Sequence, residues 1–504
     1  MGRISFDVPE IAGSLLDERS VGSVHVCGIE GVPFASRVHV SKGRWDIERE
    51  VGESGKVSLV ADIPTIGRRL VTTCSLRSDV DTPYQLPLEI ARGLCHSARM
   101  QSDGWHRAGL QTSTTFEGFL RDGSQAFMRA AAIQGDHHRC AEASIQAIVF
   151  LQQAIDELAD LFSTQSIAFR RRRQQPITTL IAATFNGSGD TSATYDKYAS
   201  VFNAASVPLN WADIETDSGR FDFDAPTAVV NELSARGLRL IGGPLIDFRP
   251  RMLPHWLYLL EDNVEEFARA ASQYVERVVN QFAGRMQLWN IVAGLNTSST
   301  LKLTDEQAMR VSIAILTTVR RCDPNTPVVM SLDQPFGNYL AKQRDGISPL
   351  HFADALVRSG LGLAGIGLEM RFQYEDHASP ACSAIQLGNL IDRWATLGLP
   401  LLVQMAAPSS LEMDPQAQTA AGLVPYSKQS DIAKASDPGQ AQLELVGPMI
   451  KMILSKPVVH GIIWEGWSDR DRHANPHAGM LDKQGQPRPL LNYFEKVRRE
   501  YFDE

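Results

Sequence analysis

Eight apolar runs with the character of β-strands alternate with helix-like stretches from residue 176 onward, and this alternation restricts the possible folds more than any other feature. One intervening stretch, Asn263–Val279, has apolar residues three and four positions apart, as an amphipathic helix does. Such alternation favours a parallel sheet covered by helices, and eight strands close a (β/α)8 TIM barrel. We therefore predict an α/β barrel over residues 176–504, with a doubly wound sheet as the alternative. The runs are Thr178–Phe185, Ser206–Asn210, Leu238–Ile246, Met286–Gly294, Pro327–Gln334, Gly365–Phe372, Pro400–Ala407 and Val459–Trp467.

The first 175 residues show two other patterns. Short β-prone runs separated by Gly, Asp and Ser turns extend to about residue 85, which predicts a small antiparallel domain resembling a β-sandwich. From residue 86 to 175 the apolar period becomes 3.6, as in Ala143–Leu158, and this indicates a helical connector. The expected organisation is a β-rich domain at 1–85, helices at 86–175 and the barrel at 176–504. The β-prone runs are Ile4–Val8, Ser23–Cys27, Arg37–Val40, Val57–Ala61 and Arg69–Cys74.

Charge and composition narrow the possible partners and compartment. The net charge of −9 argues against a nucleic-acid surface, because binding through counterion release needs clustered Lys and Arg. No apolar stretch reaches the length of about 18 residues that a membrane span needs. The N-terminus lacks the apolar core of a signal peptide, and the six cysteines have no CxxC spacing. We therefore expect a cytoplasmic protein with free thiols.

Five short motifs follow one another within residues 204–494. They are Trp211–Phe223, Gly242–Arg249 with Pro254 and Trp256, Trp289–Val292, Gly365–Leu368, and Gly466–Asp469 with Gly479 and Pro487–Pro489. In order and spacing they resemble the motifs of the family 10 glycoside hydrolases, the xylanase family. The resemblance implies a (β/α)8 barrel that handles carbohydrate at the carboxyl ends of its strands.

The same resemblance places Gly294 and Gln404 where the family has its acid/base and nucleophilic glutamates, at the ends of strands four and seven. Gln404 cannot ionise and Gly294 has no side chain, so a retaining pair of carboxylates about 5 Å apart cannot form there. Positions that contact sugar in the family also carry other residues here. These are Ser206, Val207, Asn210, Gly243, Asp247, Phe248, Glu369, Arg371 and Glu465. The resemblance therefore implies that the usual chemistry is lost.

Carboxylates elsewhere at the strand ends are candidates for a relocated catalytic pair, since all strand ends of a barrel face one bowl. Glu369 follows an apolar strand, and burial there would raise its pKa and suit it to act as a general acid; the alternative is an ion pair with Arg371 or Arg249. Glu465 lies between two tryptophans, with a loop-stabilising carboxylate as its alternative. The four catalytic candidates are Glu369, Glu465, Asp333 and Asp247, and Asp469 is a fifth carboxylate expected at the mouth.

Candidates for substrate binding come from the same strand ends. Arg249 and Arg251 would either clamp an anionic sugar or neutralise an acidic bowl. His473 and His477 are four residues apart, but Pro476 prevents a helix from presenting both on one face, so we expect no metal and no cofactor. The candidates are Trp211, Arg249, Gln334, Gln404, Trp464, Trp467, Asp469 and His473.

Three functions remain open at this point. A relocated glycosidase predicts two bowl carboxylates within about 10 Å of each other in one pocket. A non-catalytic carbohydrate-binding protein predicts polar and aromatic groups without such a pair, and a structural platform predicts no concave pocket. Carbohydrate is the expected partner, with neither nucleic acid nor membrane, and the sequence does not fix the oligomeric state.

Overall fold

A computed structural model describes residues 2–28, 31–173, 177–187, 191–260, 263–297, 301, 303–343, 346–374, 379–418 and 435–502. Its largest element is a parallel eight-stranded sheet, as predicted, in which the second to eighth strands pair in chain order and the eighth pairs with the first. A parallel bridge between Thr184 and Ser206 closes the sheet into a barrel. The strands are Leu180–Ala183, Ala204–Val207, Arg239–Gly242, Leu288–Asn290, Val328–Asp333, Gly365–Arg371, Leu401–Ala406 and Val459–Trp464.

The third and fourth barrel strands are interrupted and continue as a second parallel pair, Ile246–Asp247 beside Val292–Ala293. The interruption lies at Gly243, whose φ is +112°. A Cβ atom at this position would lie 2.0 Å from the carbonyl oxygen of Asn290, so only glycine allows the two chains to approach this closely. The predicted run Leu238–Ile246 is divided beside this glycine, and the run Met286–Gly294 is divided at Ile291.

Helices surround the barrel strands, and several begin where the sequence provides a cap. Thr304 and Ser383 each form a capping box with the glutamine three residues later, and the side chain of Asn263 accepts a hydrogen bond from the backbone N–H of Glu266. The helices are Ser192–Val201, Trp211–Ile214, Asp224–Ala235, Val264–Phe282, Asp305–Cys322, Pro349–Arg358, Ala384–Trp394, Pro438–Ser455 and Pro489–Tyr501. Short 3-10 helices are His255–Leu260, Leu295–Thr297, Asn338–Ala341 and Ala395–Leu397.

Two four-stranded sheets precede the barrel. One has the order Ser36–Ser41, Arg44–Arg49, Gly2–Asp7, Tyr84–Gln85, and the other has the order Pro33–Phe34, His25–Cys27, Gly55–Ile63, Gly67–Leu76. All of their pairings are antiparallel except that of Gly2–Asp7 with Tyr84–Gln85, so the expectation of a wholly antiparallel domain is wrong at this edge. The strand Arg44–Arg49 was not predicted, and Ser23 ends the helix Glu18–Ser23 instead of beginning a strand.

Three long helices, Leu86–Arg107, Thr114–Ala132 and His137–Arg173, follow the two sheets. They share one hydrophobic core with the sheets, and this core extends to Met452 on a barrel helix. Hydrogen bonds also join the two parts, including Leu70 N–H to the carbonyl of Ala381 at 2.6 Å. No helix among the described residues is both long and apolar enough to span a lipid bilayer.

Candidate functional site at the barrel mouth

The carboxyl ends of the barrel strands bring together most of the side chains that the sequence predicts for the site. Asp247, Asp333 and Glu369 lie on the third, fifth and sixth strands or their extensions, and Glu465 directly follows the eighth. All four carboxyl groups are buried. Burial of this many carboxyl groups requires compensating cations or protons, and both are found here.

Arg249 is the central cation of the mouth. Its Nε donates to both carboxylate oxygens of Asp247, at 2.9 and 2.8 Å, and its Nη1 donates to Glu465 Oε2 at 3.1 Å. Asn475 Nδ2 also donates to Glu465 Oε2, at 2.5 Å. A planar guanidinium therefore joins two predicted catalytic carboxylates, and of the two roles predicted for Arg249 this pairing is the neutralising one.

Gly294 lies beside this ion pair. Its φ is +67°, and a Cβ atom there would lie 3.2 Å from Cγ of Arg249. Any side chain at position 294 would therefore meet both backbone strain and the Arg249 side chain. The space next to Gly294 is occupied by arginine.

Glu369 faces the same point from the sixth strand. Its Oε2 accepts a hydrogen bond from the backbone N–H of Gly294 at 3.1 Å, and its Oε1 is buried without a hydrogen-bond partner in the described part of the chain. Burial raises the pKa of Glu369 to about 8; Arg249 opposes the shift and Glu465 adds to it. Glu369 is therefore largely protonated at neutral pH, as its position after an apolar strand predicts.

Asp333 is held by a second arginine. Arg371 Nη2 lies 2.5 Å from Asp333 Oδ1, while Thr297 Oγ1 donates to Asp333 Oδ2 at 2.7 Å. The backbone N–H of Gln334 donates to Asp333 Oδ1 at 2.9 Å. The predicted alternative for Glu369, an ion pair with Arg371 or Arg249, is thus not formed as a direct contact, because each arginine is paired with other carboxylates.

Gln404 is fixed by two neighbouring polar side chains inside the barrel. Its Nε2 donates to Ser331 Oγ at 2.6 Å, and its Oε1 accepts from Asn290 Nδ2 at 3.3 Å. Ser331 Oγ in turn donates to Asn290 Oδ1 at 2.9 Å. The three side chains, all buried, form a closed hydrogen-bonded ring in which Gln404 is satisfied as a neutral amide.

A model of glycosyl hydrolase family 10 matches residues 170–496, more than half of the chain. The chain belongs to glycosyl hydrolase family 10. Similar solved structures include xylanase 10B from Thermotoga petrophila RKU-1 in complex with xylobiose, which is 16% identical with a TM-score of 0.46 and coverage of 65% of this chain and 95% of that chain. Native xylanase 10B from Thermotoga maritima is 17% identical, with a TM-score of 0.46 and coverage of 67% and 97%. A search of curated proteins found no match.

The three tryptophans predicted to bind substrate lie in the core of this family 10 barrel. Trp211 stacks on Tyr274 with ring centroids 4.8 Å apart, and Trp467 packs edge-to-face against Tyr198 at 5.0 Å. Trp464 donates from Nε1 to the carbonyl of Ala478. All three are at most 2% exposed, so the geometry offers none of them as a stacking surface for sugar.

A second cluster lies beside the mouth of the family 10 barrel. His473 Nε2 lies 2.9 Å from Asp414 Oδ2, and the backbone N–H of His477 donates to the same oxygen at 2.9 Å. Burial opposes ionisation of Asp414, but the hydrogen bond and charge of His473 outweigh it and lower the pKa of Asp414. Burial likewise opposes protonation of His473, and Asp414 outweighs it and raises the pKa of His473.

Asp469, also expected at the mouth, belongs to this second cluster. Its Oδ2 pairs with Arg488 Nη1 at 2.5 Å and lies 3.7 Å from His477 Nδ1. Ligand atoms of Asp414, Asp469 and His477 lie within 4.8 Å of one another, close enough to surround a metal ion. Arg488 and His473 already occupy the two carboxylates, however, so an ion would have to displace these partners, and we assign no metal to the cluster.

The cavity of the family 10 barrel mouth has a volume of about 30 Å³ within the described structure. Its lining includes Arg249, Gln404, Glu465 and His473 among the predicted residues. Asp247, Asp333, Glu369 and Asp469 do not line it. The only carboxylate among the described lining residues is therefore Glu465.

Several residues that organise the mouth were not predicted as site residues. They are Asn290 and Ser331, which are hydrogen-bonded to Gln404, Asn475, which is hydrogen-bonded to Glu465, and Asp414, which is hydrogen-bonded to His473. The first two had a usable signal, because a polar residue within an otherwise apolar barrel strand must have a partner inside the barrel. Asp414 and Asn475 lie in connecting segments, where the sequence has no periodicity that would locate a side chain.

Proposed function

We propose that this family 10 protein binds carbohydrate without hydrolysing it. The observation that carries the proposal is the lining of the mouth cavity, where Glu465 is the one carboxylate among the described residues and is paired with Arg249. Glycoside hydrolysis by either stereochemical course uses two carboxyl groups on opposite sides of one scissile bond. A single carboxylate held by arginine does not supply such a pair.

The other carboxyl groups do not supply the missing partner. Glu369 holds a proton at neutral pH, as a general acid must, but neither it nor its hydrogen-bond partner Gly294 is among the described residues that line the cavity. Asp333 is bound by Arg371 and Thr297 and also lies outside the cavity. Gly294 and Gln404 stand where the family resemblance puts the two glutamates, and neither can ionise. We therefore propose that the retaining mechanism has been lost.

Polar groups at the cavity favour binding of a hydroxyl-rich ligand. Asn186 and Asn210 line the cavity, and their side-chain carbonyl oxygens are buried and have no hydrogen-bond partner in the described part of the chain. Unpaired buried acceptors are costly, and sugar hydroxyls are donors that would satisfy them. A volume of about 30 Å³ is well below that of ordinary small-molecule sites, so a small group such as a sugar hydroxyl would enter the cavity while the sugar ring stays outside.

Two measurements on the purified full chain test this proposal. The first is release of reducing sugar from xylan and of nitrophenol from aryl glycosides, for which we expect no enzymatic rate. The second is titration with xylo-oligosaccharides and other glycans followed by calorimetry. Asn210→Ala should weaken binding about 3- to 10-fold, the effect of one neutral hydrogen bond, while Asn280→Ala on an exposed helical surface should not.

Each outcome distinguishes among the three functions. Turnover that Glu465→Gln abolishes would establish a relocated hydrolase and overturn the proposal. Binding that is indifferent to Asn210→Ala would place the carbohydrate site elsewhere on the molecule. Absence of binding to every glycan would leave the structural platform as the better account.

A further inference from the structure

Arg49 is a buried arginine whose side chain has no hydrogen-bonding partner among the described residues. It ends the strand Arg44–Arg49 in the first of the two small sheets, and only 4% of its surface is exposed. None of its three side-chain nitrogens finds an acceptor in the described part of the chain. A buried guanidinium carries five N–H donors, so leaving all of them unpaired is unfavourable and indicates that an acceptor is missing.

The neighbouring strands leave room for such an acceptor. Arg49 is paired in register with Ser36 on one side and with Gly2 on the other, so both cross-strand neighbours are small. The hydroxyl of Ser36 is also buried and unpaired within the described residues. Because residues directly opposite each other project on the same face of a sheet, the hydroxyl and the guanidinium face the same space. The Ser36 hydroxyl and the Arg49 guanidinium, both without an acceptor among the described residues, therefore lie on the same side of the sheet.

Ser36 and Arg49 both belong to the lining of an open cleft of about 420 Å³ between the small sheet and the barrel. Phe34 forms one wall, with its ring 5.8 Å from the Arg49 guanidinium carbon, and Lys342 on a barrel loop forms another. A volume of a few hundred Å³ is typical of sites for small molecules. The cleft therefore combines an apolar wall, a cationic wall and unpaired donors.

The charges of the cleft indicate the charge of the ligand. Its lining holds three cations, Arg37, Arg49 and Lys342, and two carboxylates, Glu48 and Glu50. Glu48 precedes Arg49 on the strand, so it projects on the opposite face and lies 3.5 Å from His39, whereas Glu50 follows the end of the strand. Cations exceed carboxylates by one in the lining, and Glu53 and Asp79 also act on Arg49 from outside it, so a monoanion is favoured over a dianion. A carboxylate also matches the planar fork of a guanidinium.

We propose that this cleft binds a small organic molecule through its carboxylate, which accepts hydrogen bonds from Arg49 and Ser36. The site is separate from the barrel mouth and does not depend on the proposed carbohydrate function. The sheets in front of the barrel would then be a ligand-binding part of the protein.

The test uses the full chain and three probes, acetate, D-glucuronate and inorganic phosphate, each matched in ionic strength with sodium chloride. Thermal unfolding and calorimetric titration report binding, since a ligand that binds only the folded state raises the unfolding temperature. We expect saturable stabilisation by the two carboxylates. Arg49→Met should weaken binding at least about 10-fold, and Ser36→Ala about 3- to 10-fold.

The matched control is Arg44→Met on the same strand. Arg44 is 41% exposed, pairs with Asp46 and lies outside the cleft, so its loss should leave carboxylate binding unchanged. Without ligand, Arg49→Met should unfold at the same or a higher temperature than the parent, because it removes an unpaired buried charge. A purely structural arginine would instead destabilise the fold on removal.

Three results would overturn the proposal. These are stabilisation equal to that by chloride, stabilisation by phosphate alone, and carboxylate binding that survives Arg49→Met. Should Arg49→Met fail to fold, Arg49→Lys provides the same test, since lysine keeps the charge but loses the bidentate fork. Undiminished carboxylate affinity in both Arg49→Lys and Ser36→Ala would equally exclude the site.

Discussion

Glu369 Oε2 accepts a hydrogen bond from the backbone N–H of Gly294 at 3.1 Å, which links the sixth strand of the barrel to the end of the fourth. A Cβ atom at position 294 would lie 3.2 Å from Cγ of Arg249, and glycine avoids this contact beside the hydrogen bond. A carboxyl group that is protonated at neutral pH therefore lies against the backbone at the point where the family resemblance puts the acid/base glutamate. The protonation of Glu369 leads to the first prediction.

Glu369→Gln should stabilise the protein at pH 8 by about 4 kcal/mol and should have little effect near pH 4. The pKa of Glu369 is raised from 4.5 to about 8 by burial, so the folded state holds a proton that the unfolded chain releases between these pH values. Stability of the parent therefore falls as pH rises from about 4.5 to 8, and the amide removes this dependence. Urea denaturation at pH 4, 6 and 8 measures the free energy of unfolding of the parent and of the variant. Equal stability differences at all three pH values would contradict the assignment.

Arg249→Met should destabilise the fold by about 3–5 kcal/mol, because it leaves Asp247 and Glu465 buried without their shared cation. The matched control is Arg321→Met, which breaks an ion pair with Glu276 whose two side chains are 60% and 42% exposed. That change should cost less than about 1 kcal/mol. Denaturant unfolding of both variants checks the comparison, and similar losses would show that the mouth network adds little stability.

Local patterns were enough to predict the barrel but not its mouth. Apolar runs and helical periodicity are properties of neighbouring residues, and the rule that strand ends share one bowl then brings Asp247, Glu369 and Glu465 together. The sequence left open whether Arg249 neutralises the acidic bowl or clamps a sugar, and it does not indicate that Arg249 pairs with Glu465, which is 216 residues away. The choice between a catalytic and a neutralised carboxylate depends on such pairings.

Two errors in the fold have local causes. The strand Arg44–Arg49 was missed because four of its six residues are charged, although Trp45 and Ile47 alternate as a half-buried strand requires. The buried tryptophans of the barrel were predicted as substrate contacts because a tryptophan near a strand end can face either the bowl or the surrounding helices. Trp211 faces the surrounding helices because it stacks on Tyr274, which lies on a helix more than 50 residues away along the chain.

Gly294→Ala should cost about 1 kcal/mol more than Gly398→Ala. Both glycines have a positive φ, at +67° and +73°, so both variants carry the same backbone strain. A Cβ at position 294 would also press on Arg249 at 3.2 Å, whereas nothing lies within 4 Å of one at position 398. The difference in the free energy of unfolding isolates the contact with the Arg249 side chain. Equal costs would show that Arg249 moves aside freely, and Gly294→Glu would then be an acceptable route to restoring a carboxylate.

His473→Gln should destabilise the protein most between about pH 4 and 6.5, by about 1–2 kcal/mol, and progressively less at higher pH. The pKa of His473 is raised by Asp414, so its contribution is complete below the unfolded value of 6.5 and is lost as pH rises through the folded value. The pKa of Asp414 is lowered, so the contribution of Asp414 is present above 3.8 and is lost as pH falls. The pair therefore stabilises most where both groups are charged.

Glutamine keeps a donor for Asp414 without the charge, and His39→Gln, in an exposed contact with Glu48, is the control that should leave the pH profile unchanged. Unfolding free energies measured from pH 4 to 9 would contradict the pairing if the loss in His473→Gln did not decline above pH 6.5.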